Sequence, residues 1–218
     1  MGPNEIPNRR HFLKWIAIGG AAGAIFSVRG AFAEELVRTP PQTEGPYYPI
    51  QLPLDRDNDL ILVNDSVTPA IGQILELNGR VMTPAGSPVR NATVEIWQAD
   101  NTGAYLHPRS MGYPNRDINF QGYGMFETGS TGEYRFRTIK PGLYTGRTRH
   151  IHFKIRAAGH PQLTTQCYFQ GEPQNASDGV LRGIRGERER NSVIIPLEPL
   201  PGSRIGAANG CFDIVLSS

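Results

Sequence analysis

Two histidines one residue apart, His150 and His152, form the pattern in this sequence that is best suited to chemistry. They lie in a stretch where Ile151, Phe153 and Ile155 alternate with polar residues, which predicts a β-strand with its two sets of side chains on opposite faces. Residues two apart on a strand stand roughly 6.5–7 Å apart at the backbone, and imidazoles that lean together can bind one metal ion. The same spacing is typical of the wetter face of a half-buried strand, so the pair permits a metal without requiring one.

The surroundings of this pair favour the metal. Tyr144 and Arg147 lie just upstream, and the whole chain holds only five histidines. His107 and His160 each precede a proline in a predicted turn, and we expect both to be surface or loop residues.

The elements that would position these residues are predicted to be strands. A chain of 218 residues is long enough for one sizeable β domain. Its 43 glycines and prolines separate short apolar runs and form no low-complexity tract. We therefore predict an all-β fold, a β-sandwich core with long irregular loops and an extended N-terminal arm.

Residues 1–33 read as a targeting segment. Arg9 and Arg10 precede an apolar run over 15–28 and then the small-residue sequence Ala31-Phe32-Ala33, which resembles a twin-arginine signal peptide. The alternative is a membrane anchor, but the run is shorter than the ~20 residues of a spanning helix and contains three glycines. We expect export to the periplasm or the exterior, with no stable membrane anchor once the segment is removed.

The charge balance gives no support for a nucleic-acid partner, and none is expected. The segment 1–33 holds four of the 22 basic residues and one of the 20 acidic residues, so the remaining chain carries 18 and 19 and a net charge of −1. The slight excess of basic residues therefore belongs to the targeting segment, and the remainder has no basic surplus for binding phosphates.

The rest of the chain divides into an arm over 34–72, rich in proline and therefore not helical, and a domain over 73–218. Alternating runs over 74–82 and 92–98 predict a hairpin or a neighbouring pair of strands, whereas 101–126 reads as a long irregular stretch. Cys167 and Cys211 could form one disulfide or remain two buried thiols.

Several motifs in order resemble the intradiol ring-cleaving dioxygenases, a family of non-haem Fe(III) enzymes. The similarity runs from about Thr39 to the C-terminus. The segments that carry it are Trp97-Gln98-Ala99-Asp100, Gly103-Ala104-Tyr105, Arg135 to Tyr144, Arg147 to Phe153 and Leu163-Thr164-Thr165-Gln166.

This resemblance implies a ligand set and two further site residues. The implied Fe(III) ligands are Tyr105, Tyr144, His150 and His152, and a phenolate is a hard anionic donor that suits Fe(III). Arg147 corresponds to an arginine that stabilises negative charge on the substrate ring, and Gln166 corresponds to a glutamine that hydrogen-bonds within the site. Arg149 departs from the small or apolar residue expected before the first histidine, but alternation would direct it away from the metal.

The implied reaction is cleavage of a catechol-type aromatic by O2 between its two hydroxyl-bearing carbons, which gives a cis,cis-muconate-type diacid. Tyr144 is expected to leave the metal as the substrate binds. The catechol 1,2-dioxygenases of this family carry an N-terminal helical dimerisation region, and too few residues lie between Ala33 and the first core strand near Gln73 to supply one. The resemblance is therefore closer to the protocatechuate type, and a homo-oligomer is expected. Two alternatives remain open: a non-catalytic, transthyretin-like β-sandwich binding module, and a zinc-dependent hydrolase that uses His150 and His152.

Overall fold

The computed structural model describes residues 35–64 and 67–217, so the predicted targeting segment lies outside the described residues. Within them the chain forms strands and a few short helices, in agreement with the all-β prediction. The strands are β1 (Ile74–Met82), β2 (Thr93–Trp97), β3 (Tyr123–Glu127), β4 (Glu133–Ile139), β5 (His150–Arg156), β6 (Leu163–Phe169), β7 (Ile194–Ile195), β8 (Glu198–Pro199), β9 (Ala208–Cys211) and β10 (Ile214–Val215). The helices are α1 (Gly179–Arg182) and α2 (Glu187–Ser192), with 3-10 turns at Tyr113–Asn115 and Pro173–Ala176. None of the helices in this part of the chain is long and apolar enough to cross a membrane.

The strands form two five-stranded sheets. In the first sheet, β1 pairs antiparallel with β4 and parallel with β9 and β10, and β8 borders β9. In the second sheet the order is β3-β2-β5-β6-β7, antiparallel except between β6 and β7. The second sheet places β5, with its two histidines, at the centre.

Apolar side chains from both sheets build one core. Leu77 and Phe136 come from the first sheet and Ile96 and Phe153 from the second, and each is at most 1 % exposed. The Tyr134 ring of β4 lies 6.0 Å from the Phe153 ring of β5, which joins the two layers. Burial of each such side chain contributes about 1.5–3 kcal/mol, so packing of the two layers is the main source of stability.

The predicted pairing of the first two strands is wrong. Residues 83–88 do turn the chain, and Met82 bridges Pro88, but β2 then pairs with β3 and β5 in the other sheet. Alternation shows which side chains of a strand face the core, but it does not show which strand lies beside it. Part of the predicted irregular stretch also forms a strand, β3, at the edge of the second sheet.

Both cysteines are free thiols in the structure, so the disulfide alternative is not supported. Cys167 is buried, as the other alternative expected, and burial raises the pKa of its thiol well above the usual value. Cys211 is exposed, and the expectation of burial is wrong for it.

Candidate metal centre

The register of β5 sets the position of the two histidines. Ile151 and Phe153 enter the core, and His152 lies opposite Trp97 of β2 and Gln166 of β6 on the outer face. The shared face follows the predicted alternation, but the wetter-face alternative is wrong because both imidazoles are only 2 % exposed. Other segments must therefore cover this face of the sheet.

The arm supplies part of that cover. Gln166 Nε2 donates to the Thr43 carbonyl at 2.9 Å, and Gln42 Nε2 donates to the Tyr168 hydroxyl at 2.9 Å. Glu44 pairs with the buried Lys154 of β5 at 2.6 Å. Polar side chains of β5 and β6 thus find partners in the arm, which excludes water from the histidine face.

Two loops bring tyrosines over the same face. Tyr105 lies in the loop after β2, and Tyr144 lies in the loop between β4 and β5. The two loops touch at Gly103, whose backbone lies directly against the carbonyl oxygen of Leu143. A Cβ at this position would overlap that oxygen, and the φ of +93° also favours glycine. A side chain at this position would separate the two backbones and, with them, the two tyrosines.

Asp100 fixes the shape of the first tyrosine loop. Its carboxylate is 1 % exposed and accepts hydrogen bonds from the backbone N–H groups of Thr102, Ala104 and Asp117 at 2.8–3.0 Å. The Asp100 carbonyl also accepts from Gly142 N–H in the second tyrosine loop at 2.8 Å. The sequence pointed to this residue only as part of a motif, since each of these contacts depends on how the loops fold.

The four predicted ligands converge on one point. The ring centroids of Tyr105, Tyr144, His150 and His152 lie 4.8–5.9 Å from one another in four neighbouring pairs. His150 Nε2 lies 3.2 Å from both the Tyr105 hydroxyl and His152 Nε2. Donors bound about 2.1 Å from one ion at right or tetrahedral angles would lie about 3.0–3.4 Å apart, so this spacing suits a shared ion.

The two imidazoles are held in different ways. His150 Nδ1 donates to the Thr148 carbonyl at 2.7 Å, and because a carbonyl only accepts, Nε2 is left with its lone pair for a metal. His152 Nδ1 is buried with no hydrogen-bond partner among the described residues. Its ring instead stacks on the Trp97 indole, 4.7 Å away and tilted by 9°. Packing against Trp97 therefore replaces the usual hydrogen bond.

Arg147 occupies the centre of a hydrogen-bond network. Its guanidinium donates to Asp178 Oδ2 at 2.8 Å, to Gln166 Oε1 at 2.6 Å and to the Tyr144 hydroxyl at 3.2 Å. Asp178 has a fully buried carboxylate, and its other oxygen caps α1 by accepting from the N–H groups of Val180 and Leu181. Asp178 was not predicted from the sequence, although an Asp before a short helix is a detectable capping signal.

The protein alone keeps these four rings neutral near pH 7. Burial raises the pKa of Tyr105 well above its usual value, and burial also raises the pKa of Tyr144, although Arg147 opposes the second shift. Burial and then Arg147 lower the pKa of His150 to about 4, while burial and then His150 lower the pKa of His152 well below its usual value. A cation at the centre would instead lower the pKa of both tyrosine hydroxyls, because it favours the phenolate form.

The donor set fits a metal ion. Buried nitrogen lone pairs and phenol oxygens meet at one point, which is costly unless a cation or a proton lies between them. Among residues 35–64 and 67–217, no group of three or more His, Cys, Asp or Glu side chains could hold a metal. Any ion bound here must therefore use the tyrosines as well as the histidines.

Two tyrosines of the arm lie beside the site, and three further side chains lie outside the ligand cluster. Tyr47 lines the cavity above the site, whereas Tyr48 packs on Trp97 and donates to Glu95 at 2.8 Å. His107 lies in a loop but is buried, while His160 is partly exposed and its Nδ1 donates to the Ser217 carbonyl at 2.9 Å. Arg149 pairs with Glu172 outside the cluster at 3.3 Å, on the side to which strand alternation was expected to direct it.

Comparison with known proteins gives consistent matches. A family model described as Dioxygenase matches residues 43–218. The β chain of protocatechuate 3,4-dioxygenase from Burkholderia cepacia is 38% identical over 173 residues, which cover 75% of this chain and 72% of that one. Catechol 1,2-dioxygenase 2 from Acinetobacter lwoffii is 30% identical over 153 residues, and the match spans 62% of this chain but about half, 52%, of that relative.

A solved structure agrees with these sequence matches. The dioxygenase domain of a dioxygenase–carbohydrate-binding protein fusion from Streptomyces sp. SirexAA-E superposes with a TM-score of 0.63 at 34% identity. The superposition covers 83% of this chain and 99% of that domain.

Proposed function

The chain belongs to the intradiol ring-cleavage dioxygenase family, and from that premise we propose that it cleaves a catechol-type aromatic between the two hydroxyl-bearing carbons. Both atoms of O2 enter the product, a cis,cis-muconate-type diacid, so the reaction needs no external reductant. The observation that carries the proposal is the meeting of Tyr105, Tyr144, His150 and His152 at one buried point beside an open cavity.

We assign these four side chains to a non-haem Fe(III) ion. Two phenolates and two imidazoles suit a hard trivalent ion better than zinc, whose catalytic sites are built from histidine, cysteine and carboxylate ligands. When bound, the ion would supply Lewis acidity that activates the deprotonated catechol toward O2. The zinc-hydrolase alternative loses support because the tyrosines belong to the same cluster as the histidines.

Tyr144 is the ligand that can move when the substrate arrives. Tyr105 is 1 % exposed, whereas Tyr144 is half-buried and lines the cavity. The Arg147 guanidinium, 3.2 Å from the Tyr144 hydroxyl, would stabilise a Tyr144 phenolate that a bound substrate had displaced. The same positive charge can stabilise negative charge that develops on the substrate ring.

Gln166 would act by orienting Arg147 from within the protein. It is fully buried, its Oε1 accepts from Arg147 and from the Tyr168 hydroxyl, and its Nε2 donates to Thr43. All its polar groups are therefore used within the protein.

The decisive experiment is purification with iron, followed by metal analysis, visible spectroscopy and O2 uptake with a panel of catechols. We expect one iron per chain, a burgundy to red colour from tyrosinate-to-iron charge transfer, and ring cleavage. A colourless protein that stays inert after ferric reconstitution would indicate the binding-module alternative, and bound zinc without ring cleavage would indicate a hydrolase.

The proposal includes location and assembly. The segment 1–33, outside the described residues, would direct export, and replacement of Arg9 and Arg10 by lysine should retain the protein in the cytoplasm. We expect a homo-oligomer, and light scattering of the purified protein would measure its mass.

A further inference from the structure

The cavity in front of Tyr144 is larger than a catechol ring needs. Its volume is about 800 Å³, and its wall includes Tyr144 and Arg147. Cavities of about 300–1,000 Å³ take ligands of drug size, so there is room for a substantial substituent on the ring.

Uncharged polar groups make up much of this wall. Hydroxyls come from Thr102, Ser110, Thr145 and Ser177, and an amide comes from Gln174. The buried Gln174 Oε1 has no hydrogen-bond partner among the described residues. The Thr102 hydroxyl already donates to Asp100 Oδ1 and the Ser177 hydroxyl to the Gln174 carbonyl, so these two oxygens can only accept, as can Gln174 Oε1. The Ser110 and Thr145 hydroxyls can still donate. Such a wall matches an uncharged substituent that exchanges hydrogen bonds, and its acceptors give no support to a carboxylate.

The wall offers no unpaired positive charge. Among the lining residues, all of them within the described part of the chain, Arg147 is the only lysine or arginine. Its guanidinium is already paired with the buried Asp178 and donates to Gln166 and Tyr144. Arg109, next to the lining residue Ser110, donates to the Pro46 carbonyl at 3.3 Å and does not line the cavity.

On the basis of the proposed function, we infer that the site selects catechols with an uncharged, polar ring substituent over catechols with a ring carboxylate. A carboxylate would lose part of its hydration in the cavity, and the one cation in the wall, Arg147, is already paired with Asp178 and would compensate for little of that loss. This preference differs from the substrate named for the protocatechuate relative.

The test compares 3,4-dihydroxybenzoate with its methyl ester, which places the same ring in the site without the charge. With the iron-loaded full chain at pH 7.5, we expect kcat/KM to be about tenfold or more higher for the ester. Calorimetry with 4-hydroxybenzoate and its methyl ester, which lack the second hydroxyl, should show the same order in Kd without turnover. Equal or tighter binding and faster cleavage of the acids would overturn the inference.

A variant pair tests the cause. Met111 lines the cavity and is 90 % exposed, so its replacement leaves the core intact. Met111→Lys should raise the acid-to-ester ratio of kcat/KM at least fivefold, whereas the uncharged Met111→Gln should not. If the acid-to-ester ratio of kcat/KM were unchanged in Met111→Lys, the lack of a cation in the wall would not be the cause of the preference. Failure to cleave any catechol, unsubstituted catechol included, would instead refute the proposed function, while the binding order of the analogues would still test this inference.

Discussion

The Arg147 guanidinium and the Asp178 carboxylate form an ion pair of 2.8 Å across 31 residues of sequence. The pair is largely buried, since the carboxylate is 0 % exposed and the arginine side chain 15 %. Asp178 also accepts from the Thr148 N–H at 2.9 Å, two residues before His150. One carboxylate therefore positions both the arginine and the start of β5.

Asp178→Asn should lower kcat/KM for catechol by about 10- to 100-fold, because displacement of a charged group by about 1 Å can cost 10²-fold. The asparagine oxygen can still cap α1, so the protein should remain folded. Steady-state kinetics would measure the loss, with Asp213→Asn as a control that removes a carboxylate bound to Arg80 N–H. Equal activity of the Asp178→Asn and Asp213→Asn variants would show that Asp178 does not position Arg147 for the reaction.

The same ion pair should make stability depend on pH. Burial alone would raise the pKa of Asp178, but hydrogen bonds from Arg147 and from backbone N–H groups lower it overall. A lowered pKa in the folded state stabilises the protein above the unfolded value of about 3.9, and this contribution disappears as the pH falls through the folded value. Asp178→Asn should therefore cost about 2–4 kcal/mol at pH 7 and clearly less at pH 3, as measured by urea unfolding. If the difference in unfolding free energy between the wild type and Asp178→Asn were the same at both pH values, the ion pair would not stabilise the fold.

Tyr144→Phe should abolish most of the visible absorption band and of the turnover, because it removes one phenolate donor and the group that Arg147 stabilises. Tyr47→Phe is the matched control for the colour, since Tyr47 lines the same cavity but has not been assigned as a ligand. Absorption spectra and O2 uptake of the iron-loaded proteins would test this. Full colour and activity in Tyr144→Phe would exclude it as a ligand.

Local patterns account for part of the site, and tertiary contacts account for the rest. Alternation alone predicted that His150 and His152 share a face, and the ordered motifs pointed to Tyr105 and Tyr144. The contact between Asp178 and Arg147 depends on the fold, because the capping signal around residue 178 concerns only α1. The strand partners of β1 and β2 were predicted wrongly for a similar reason, since inward-facing apolar residues fit either sheet.

Trp97 was predicted only as part of a motif. The register between β2 and β5 places its indole against the His152 ring. Because His152 Nδ1 has no partner among the described residues, the stacked indole takes over the orienting role that a hydrogen bond to this nitrogen usually has. Trp97→Leu should weaken iron binding about 10- to 100-fold, the usual effect of losing support for a ligand, whereas Trp97→Phe keeps a ring and should lose much less. Competition with a chelator would measure both affinities. Equal affinity of the two variants would show that stacking does not position His152.

Gly103 connects the two tyrosine loops, so its replacement should affect stability and metal binding together. Gly103→Ala forces a side chain into a φ of +93° and against the Leu143 carbonyl, and it should cost more than about 1 kcal/mol. Gly129→Ala is the control, because a Cβ there meets nothing within 4 Å and should change stability by at most about 0.5 kcal/mol. Since Tyr105 and Tyr144 would move apart, Gly103→Ala should also retain less iron and show a weaker visible band. Reduced stability with an unchanged band would mean that the close approach at Gly103 supports the fold but does not set the distance between the two phenol oxygens.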